Sequence, residues 1–325
     1  MALDVKVKID LIKPVATLDW GYPLIVGEAE KAVPYTECAT LADVVTAGFE
    51  SGSDVYNAAA KMCDQLNPPQ KFAVCGLATV DATTLAALSG AGWRQLVFAG
   101  DISATVGATY IATTEKMFFA ACKTASEAAA FKDSKRVVPI VHSTEAVLAA
   151  AAVAGESAGH EVGSITYKNL IIKGITPEAL TDAELKAIHD VHGIAIVEKA
   201  GDVVTSEGTV ANGEYADIVD GTDYVIQQLT YKTQKLLNTL GKVPFDNRGI
   251  ALLEGVAVSV MKNCYSKGII AEDEEGVPLY TVSYASRSEV EAGDIAARKY
   301  LGGKFAFTVA GAVHEVEVTG EISVG

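Results

Sequence analysis

The sequence predicts an α/β region followed by an α+β region, with a strand-forming arm at each end of its 325 residues. Three observations point there. Strand-length apolar runs alternate with helix-length runs through the first half, the rhythm of a mostly parallel sheet covered by helices. After about Gly163 that rhythm gives way to longer helices and antiparallel strands. At both ends, apolar residues alternate strictly with polar ones, the period of a half-buried strand. The expected boundaries are an arm over 1–21, an α/β domain over 22–200, an α+β domain over 201–312 and a second arm over 313–325.

The arms carry opposite charge. Val5, Val7, Ile9 and Leu11 alternate with Asp4, Lys6, Lys8 and Asp10, whereas Val316, Val318, Ile322 and Val324 alternate with Glu315, Glu317, Glu321 and Ser323. Termini fray unless something ties them down, so two well-patterned terminal strands need partners. Lys6 and Lys8 opposite Glu315 and Glu317 would contribute ~0.2–1 kcal/mol per pair. Within one subunit such pairing closes a sheet. Between subunits it builds a polymer, by adding a strand to a neighbour's open edge. The eight apolar arm residues are therefore the candidate subunit contacts.

Between the arms, Pro23 to Gly27 reads as a short buried strand, and Val33 to Thr36 leads into a helix over 40–49. Thr40 is its N-cap, with Asp43 three residues on and Leu41, Val44 and Val45 as the apolar stripe. A second helix over 53–66 stops at Asn67-Pro68-Pro69. Strands are expected at 71–75, 95–99 and 136–141, and helices at 82–88 and 144–154. An alanine-rich stretch over 103–131 reads as one long helix. Further on come strands at 165–170 and 194–198 around a helix at 181–191, then an exposed hairpin over 203–210 turning at Glu207-Gly208. Helices over 223–240 and 249–267, an acidic loop at 272–276 and antiparallel strands complete the chain.

Composition excludes several classes. Half of the residues are hydrophobic and 21% are charged, which does not suit disorder. A net charge of −15 argues against nucleic acid as a main partner, because phosphate binding needs a basic face. No apolar run reaches the ~18 residues of a membrane span, and the first residues lack a signal-peptide core, so a soluble protein made in a cytoplasm is expected. Cys38, Cys63, Cys75, Cys122 and Cys264 are scattered without a CxxC and read as small buried hydrophobes.

Candidate chemistry is sparse. Gly155-Glu-Ser157-Ala-Gly159 fits the GxSxG nucleophile elbow, and Asp217 and His314 follow in the order of a hydrolase triad. An elbow needs a strand directly before the serine and a helix directly after it. Here a helical alanine-rich run precedes Ser157, so a helix ending at Gly155 is the better account. Neither GxGxxG nor GxxxxGK[ST] occurs, so no dinucleotide or nucleotide cofactor is expected. His189 and His192 lack a third metal ligand and suit a helix C-terminus. Glu272 to Glu275 lacks the spacing of a calcium loop. One charge feature stands out. Between 225 and 270, Lys232, Lys235, Lys242, Arg248, Lys262 and Lys267 face only Asp246 and Glu254, a local surplus of cations in an acidic chain.

Taken in order, the segments resemble contractile tail sheath proteins of myophages and phage-tail-like bacteriocins, over nearly the whole length. The resemblance rests on Tyr22-Pro-Leu-Ile-Val-Gly27 with Pro34-Tyr35 and Ser53-Asp-Val-Tyr-Asn-Ala-Ala, then on Lys168-Asn-Leu-Ile-Ile-Lys-Gly-Ile-Thr-Pro-Glu-Ala-Leu180. Glu207-Gly-Thr-Val-Ala-Asn-Gly-Glu-Tyr-Ala-Asp-Ile218, Lys242-Val-Pro-Phe-Asp-Asn-Arg-Gly-Ile250 and Gly311-Ala-Val-His-Glu-Val-Glu-Val-Thr-Gly320 complete it. It implies a structural protein rather than an enzyme, with no cofactor. Hexameric rings would stack helically around a tail tube, and baseplate and tail terminator proteins would be further partners. The α/β domain would lie outside and the C-terminal domain inside, with Arg248, Lys262 and Lys267 towards the tube. The place implied is a virion tail or phage-tail-like particle, assembled in the host cytoplasm, with no membrane or nucleic-acid contact.

Overall fold

The structure, a computed structural model, describes residues 20–317. Val5, Val7, Ile9, Leu11, Val318, Ile322 and Val324 lie outside the described residues. Over the rest, eight strands form one sheet: β1 (Pro23–Glu28), β2 (Val33–Cys38), β3 (Phe72–Leu77), β4 (Gln95–Ala99), β5 (Met117–Cys122), β6 (Val137–Val141), β7 (Ile194–Lys199) and β8 (Asp202–Thr205). Their order is β2-β3-β1-β4-β5-β6-β7-β8. The six inner strands run parallel, and β2 and β8 close the edges antiparallel. β4 and β6 are buried at every position, as expected of strands covered on both faces.

Helices α1 (Leu41–Ala47), α2 (Asp54–Cys63) and α6 (Ala146–Ala158) cover one face of the sheet. On the other lie α3 (Ala82–Ala86), α4 (Ala104–Ile111), α5 (Ala125–Ala129) and α7 (Asp182–His189). Local chemistry sets their starts. Thr40 with Asp43 and Thr181 with Glu184 form capping boxes, and Ser53 caps α2.

Four expectations are corrected. The stretch 103–131 is not one helix: α4 ends where the Thr113 and Thr114 hydroxyls bond back to the carbonyls of Tyr110 and Ile111. Met117 to Ala120 then lie fully buried in β5, between β4 and β6. A short apolar run serves a buried strand as well as a helix, and here the sheet decides. At 165–170 no regular strand forms, because Tyr167 and Asn169 both take φ of 60°. Instead Asn169 to Ile172 ladders onto β8 through bonds with Thr205 and Val203. The β7–β8 hairpin turns at Ala200-Gly201, with φ of 53° and 90°, rather than at Glu207-Gly208. Gly208 is packed so closely that an added Cβ would lie 2.2 Å from the Thr166 carbonyl. Finally, β8 falls past residue 200, so the sheet takes in residues beyond that boundary.

The C-terminal part contains α8 (Ala216–Leu240), α9 (Asn247–Ser266), β9 (Tyr280–Tyr284), a short α10 (Ala292–Ala296) and β10 (Gly303–Phe307). At 25 residues α8 is ~37 Å long. Its first turn packs into the sheet core through Ala216 and Val219. Val225 and Leu229 further along pack with Ala257, Val260, Met261 and Cys264 of α9. One helix thus belongs to both cores. β9 and β10 pair antiparallel and lay Tyr280, Val282, Tyr284, Phe305 and Phe307 against this second core.

Candidate functional site

The serine motif lies in the wrong place for chemistry. α6 does not stop at Gly155 but runs on to Ala158, which puts Ser157 in its last turn with 5% exposure. The hydroxyl donates to the Ala154 carbonyl at 3.2 Å and accepts from Gln95 Nε2 at 3.2 Å. Gly155 lets α6 close on α2, since a Cβ there would lie 2.7 Å from the Met62 carbonyl. His314 pairs through Nε2 with the Thr166 hydroxyl. Burial pushes the Asp217 carboxyl up, and its Oδ1 is buried without a hydrogen-bond partner.

Parallel sheets hold ligands at the crevice where the strand order reverses. In this sheet that point is the carboxyl end of β1, between β3 and β4, and protein fills it. A Cβ on Gly27 would lie 2.4 Å from Val55 Cγ2, and one on Gly100 would lie 2.8 Å from the Asp54 carboxylate. His189 bonds the Ser206 hydroxyl at 2.9 Å, and burial lowers its pKa. Asp273 of the acidic loop accepts from the amides of Glu275 and Val277, which makes it a local turn.

A buried ionic cluster holds the two cores together. Arg94 immediately precedes β4, and Arg136 immediately precedes β6. Asp220 and Asp223, three apart on α8, meet them: Arg94 Nη2 lies 2.5 Å from Asp220 and 2.7 Å from Asp223. Arg136 grips Asp223 with both terminal nitrogens. The Tyr167 hydroxyl donates to the other oxygen of Asp220, and both guanidiniums also reach the Glu115 carbonyl. Burial alone would lower the Arg94 pKa, but Asp223 and Asp220 outweigh it and raise it. Trp20 stacks on Arg94, 4.6 Å from its ring centre, and sets its edge against Tyr224. Sequence reasoning missed this cluster. The signal was a cation directly before each of two buried strands and an i, i+3 acidic pair in the first turns of α8.

The remaining candidates are surfaces. On α9, Arg248 and Lys262 are exposed. Fourteen residues apart, they lie within ~40° of each other around the axis and ~21 Å along it. Exposed Leu252, Gly255 and Ser259 sit between them. Lys267 does not share this freedom, because its Nζ pairs with Glu161 of the sheet domain at 2.6 Å. The two-stranded β9–β10 ribbon has no third strand among the described residues. One of its faces is apolar, and Thr281, Ser283, Lys304 and Ala306 are exposed on the other. Val316 is 77% exposed.

No protein-family model and no curated protein matches the sequence. The fold does have solved counterparts, and it is the fold of contractile sheath subunits. A chain in the contracted helical sheath of the anti-feeding prophage superposes with a TM-score of 0.71, at 13% identity and 98% coverage of both chains. One in the six-fold symmetrised baseplate of that particle gives 0.71, at 11% identity and 100% coverage of both. The sheath tail protein of Desulfitobacterium hafniense gives 0.57, at 10% identity, with 94% of this chain and 99% of that one covered.

Proposed function

We propose that this chain is the structural subunit of a contractile tail sheath. Copies stack as hexameric rings around a tail tube, and the stack shortens to drive the tube through a cell envelope. The single observation that carries this reading is coverage. The likeness runs through both cores and reaches 98% of each chain, well beyond a common α/β sheet. The filled crevice at β1 and the buried Ser157 hydroxyl support a structural role over the hydrolase alternative.

On this reading the arms, 1–21 and 313–325, cross to neighbouring copies and extend ribbons such as β9–β10. An arm of ~12 extended residues reaches ~40 Å. Val5, Val7, Ile9, Leu11, Val316, Val318, Ile322 and Val324 then bury against other subunits. The sheet domain faces outward, and the C-terminal domain meets the tube through the α9 face bearing Arg248 and Lys262. Lys267 braces that domain against Glu161. The other partners are the tube protein, a baseplate and a tail terminator, in a virion tail or phage-tail-like particle built in the host cytoplasm. Negative-stain microscopy of the purified full-length protein tests the proposal. Striated tubes or hollow sheaths are expected, and small closed oligomers under all conditions would overturn it.

A further inference from the structure

The seven residues that follow Ala310 are exposed except one. Gly311, Ala312, Val313, Glu315, Val316 and Glu317 face solvent, with Val313 at 80% and Val316 at 77%, whereas His314 is half-buried. Its Nε2 pairs with the Thr166 hydroxyl, and its ring sits edge-on to Tyr215, with centroids 4.9 Å apart and planes at 82°. Thr166 is backed by Gly208, whose missing side chain leaves room for the Thr166 carbonyl. Tyr215 is the N-cap residue of α8.

We propose that His314 parks the C-terminal tail on its own subunit, and that this contact competes with donation of the tail to a neighbouring copy. The second half rests on the sheath reading; the first does not. Paired as a strand on a neighbour, the tail would present His314 and Val316 on one face, because residues i and i+2 of a strand share it. While His314 is docked, its side chain is committed to Thr166 and Tyr215 and is withheld from that face, although Val316 remains bare. The contact is also slight. One hydrogen bond with one ring contact biases the docked state by about five- to tenfold, strong enough to hold a lone tail and weak enough to yield to strand exchange.

The test uses dilute full-length protein with a nitroxide at Glu317→Cys, in a Cys63→Ser background because Cys63 is half-buried. Spin-label spectra are compared with His314 intact, His314→Ala, His314→Gln and Thr166→Val. The ratio of mobile to docked label should rise about five- to tenfold in His314→Ala, and less in Thr166→Val, which keeps the ring contact, and in His314→Gln, whose amide can still bond the hydroxyl. Assembly of unlabelled His314→Ala should begin with a shorter lag. Equal label mobility in all four proteins overturns the parking contact. A mobile tail with an unchanged or longer lag overturns the competition. If the tail responds as expected but wild-type protein never forms tubes, the sheath reading fails and the parking contact stands.

Discussion

Arg94 and Asp220 meet across the junction of the two cores, Nη2 to Oδ1 at 2.5 Å, with 7% and 8% of their side chains exposed. The pair joins the start of a central strand to the helix that both cores share. Asp223 and Arg136 complete it, two cations to two anions. A balanced and hydrogen-bonded cluster of this kind fixes geometry more than it adds stability, whereas breaking it leaves a bare buried charge. α8 and the sheet should therefore move as one body.

Removing Arg94 should expose that asymmetry. Arg94→Ala leaves Asp220 with only the Tyr167 hydroxyl, and a loss of about 3–5 kcal/mol is expected. Urea unfolding of the purified subunit would measure it. A loss under about 1 kcal/mol would mean that the cluster does not join the cores.

Glu207 is expected to matter, contrary to its apparent place on an exposed turn. It pairs at 2.7 Å with Lys168, whose side chain is 8% exposed. Glu207→Ala should cost about 2 kcal/mol by stranding that ammonium, and adding Lys168→Met should recover part of the loss. Denaturation of the single and double variants decides it.

Gly155 and Ser157 should behave as packing residues. Gly155→Ala puts a methyl into the α2–α6 contact, at an expected cost of about 1–3 kcal/mol. Ser157 should not react with a fluorophosphonate probe in the folded protein. Covalent labelling of that serine would reopen the hydrolase alternative.

Acid sensitivity should centre in part on Glu156. It is 2% exposed, and burial pushes its pKa up. Both Asn67 donors and His160 outweigh burial, so the carboxyl titrates below its ordinary range. A depressed folded-state pKa gives stability that is complete above the unfolded value of about 4.3 and is lost as pH falls through the folded value. Glu156→Gln should lower stability at neutral pH and flatten its fall below about pH 4.3. Unfolding curves across pH 3–7 with an unchanged slope would refute this.

Charge reversal on α9 separates two lysines. Arg248→Glu with Lys262→Glu should leave the fold intact and allow empty sheath to form, but block extended sheath on the tube. Lys267→Glu should instead lower subunit stability slightly by facing Glu161 with a like charge. Electron microscopy of tails, with melting of each subunit, distinguishes the two outcomes.

The legible parts of the fold were those set by local chemistry. Thr40 with Asp43, Ser53 and Thr181 marked helix starts because capping needs only neighbours in sequence. The ordered segments at Tyr22, Lys168 and Lys242 pointed to the fold before any coordinates did. What failed depended on distant contacts. Met117 to Cys122 became a strand because β4 and β6 flank it, and no local signal in an alanine-rich stretch carries that. Glu207 was misplaced because its partner, Lys168, lies 39 residues away. Arg94 and Asp220, separated by 126 residues, are likewise brought together only by the fold.

The sheet order bears on how the chain is born. Among the described strands β1 is the first to leave the ribosome, yet it lodges between β3 and β4, and the second of these is complete only about seventy residues later. At ~5–20 residues per second, the edge of Leu24-Ile25-Val26 that β4 will cover stays bare for roughly 4–14 s. An inner strand of the sheet thus stays open to stray pairing during synthesis, and nascent chains crowded on one message are its nearest wrong partners.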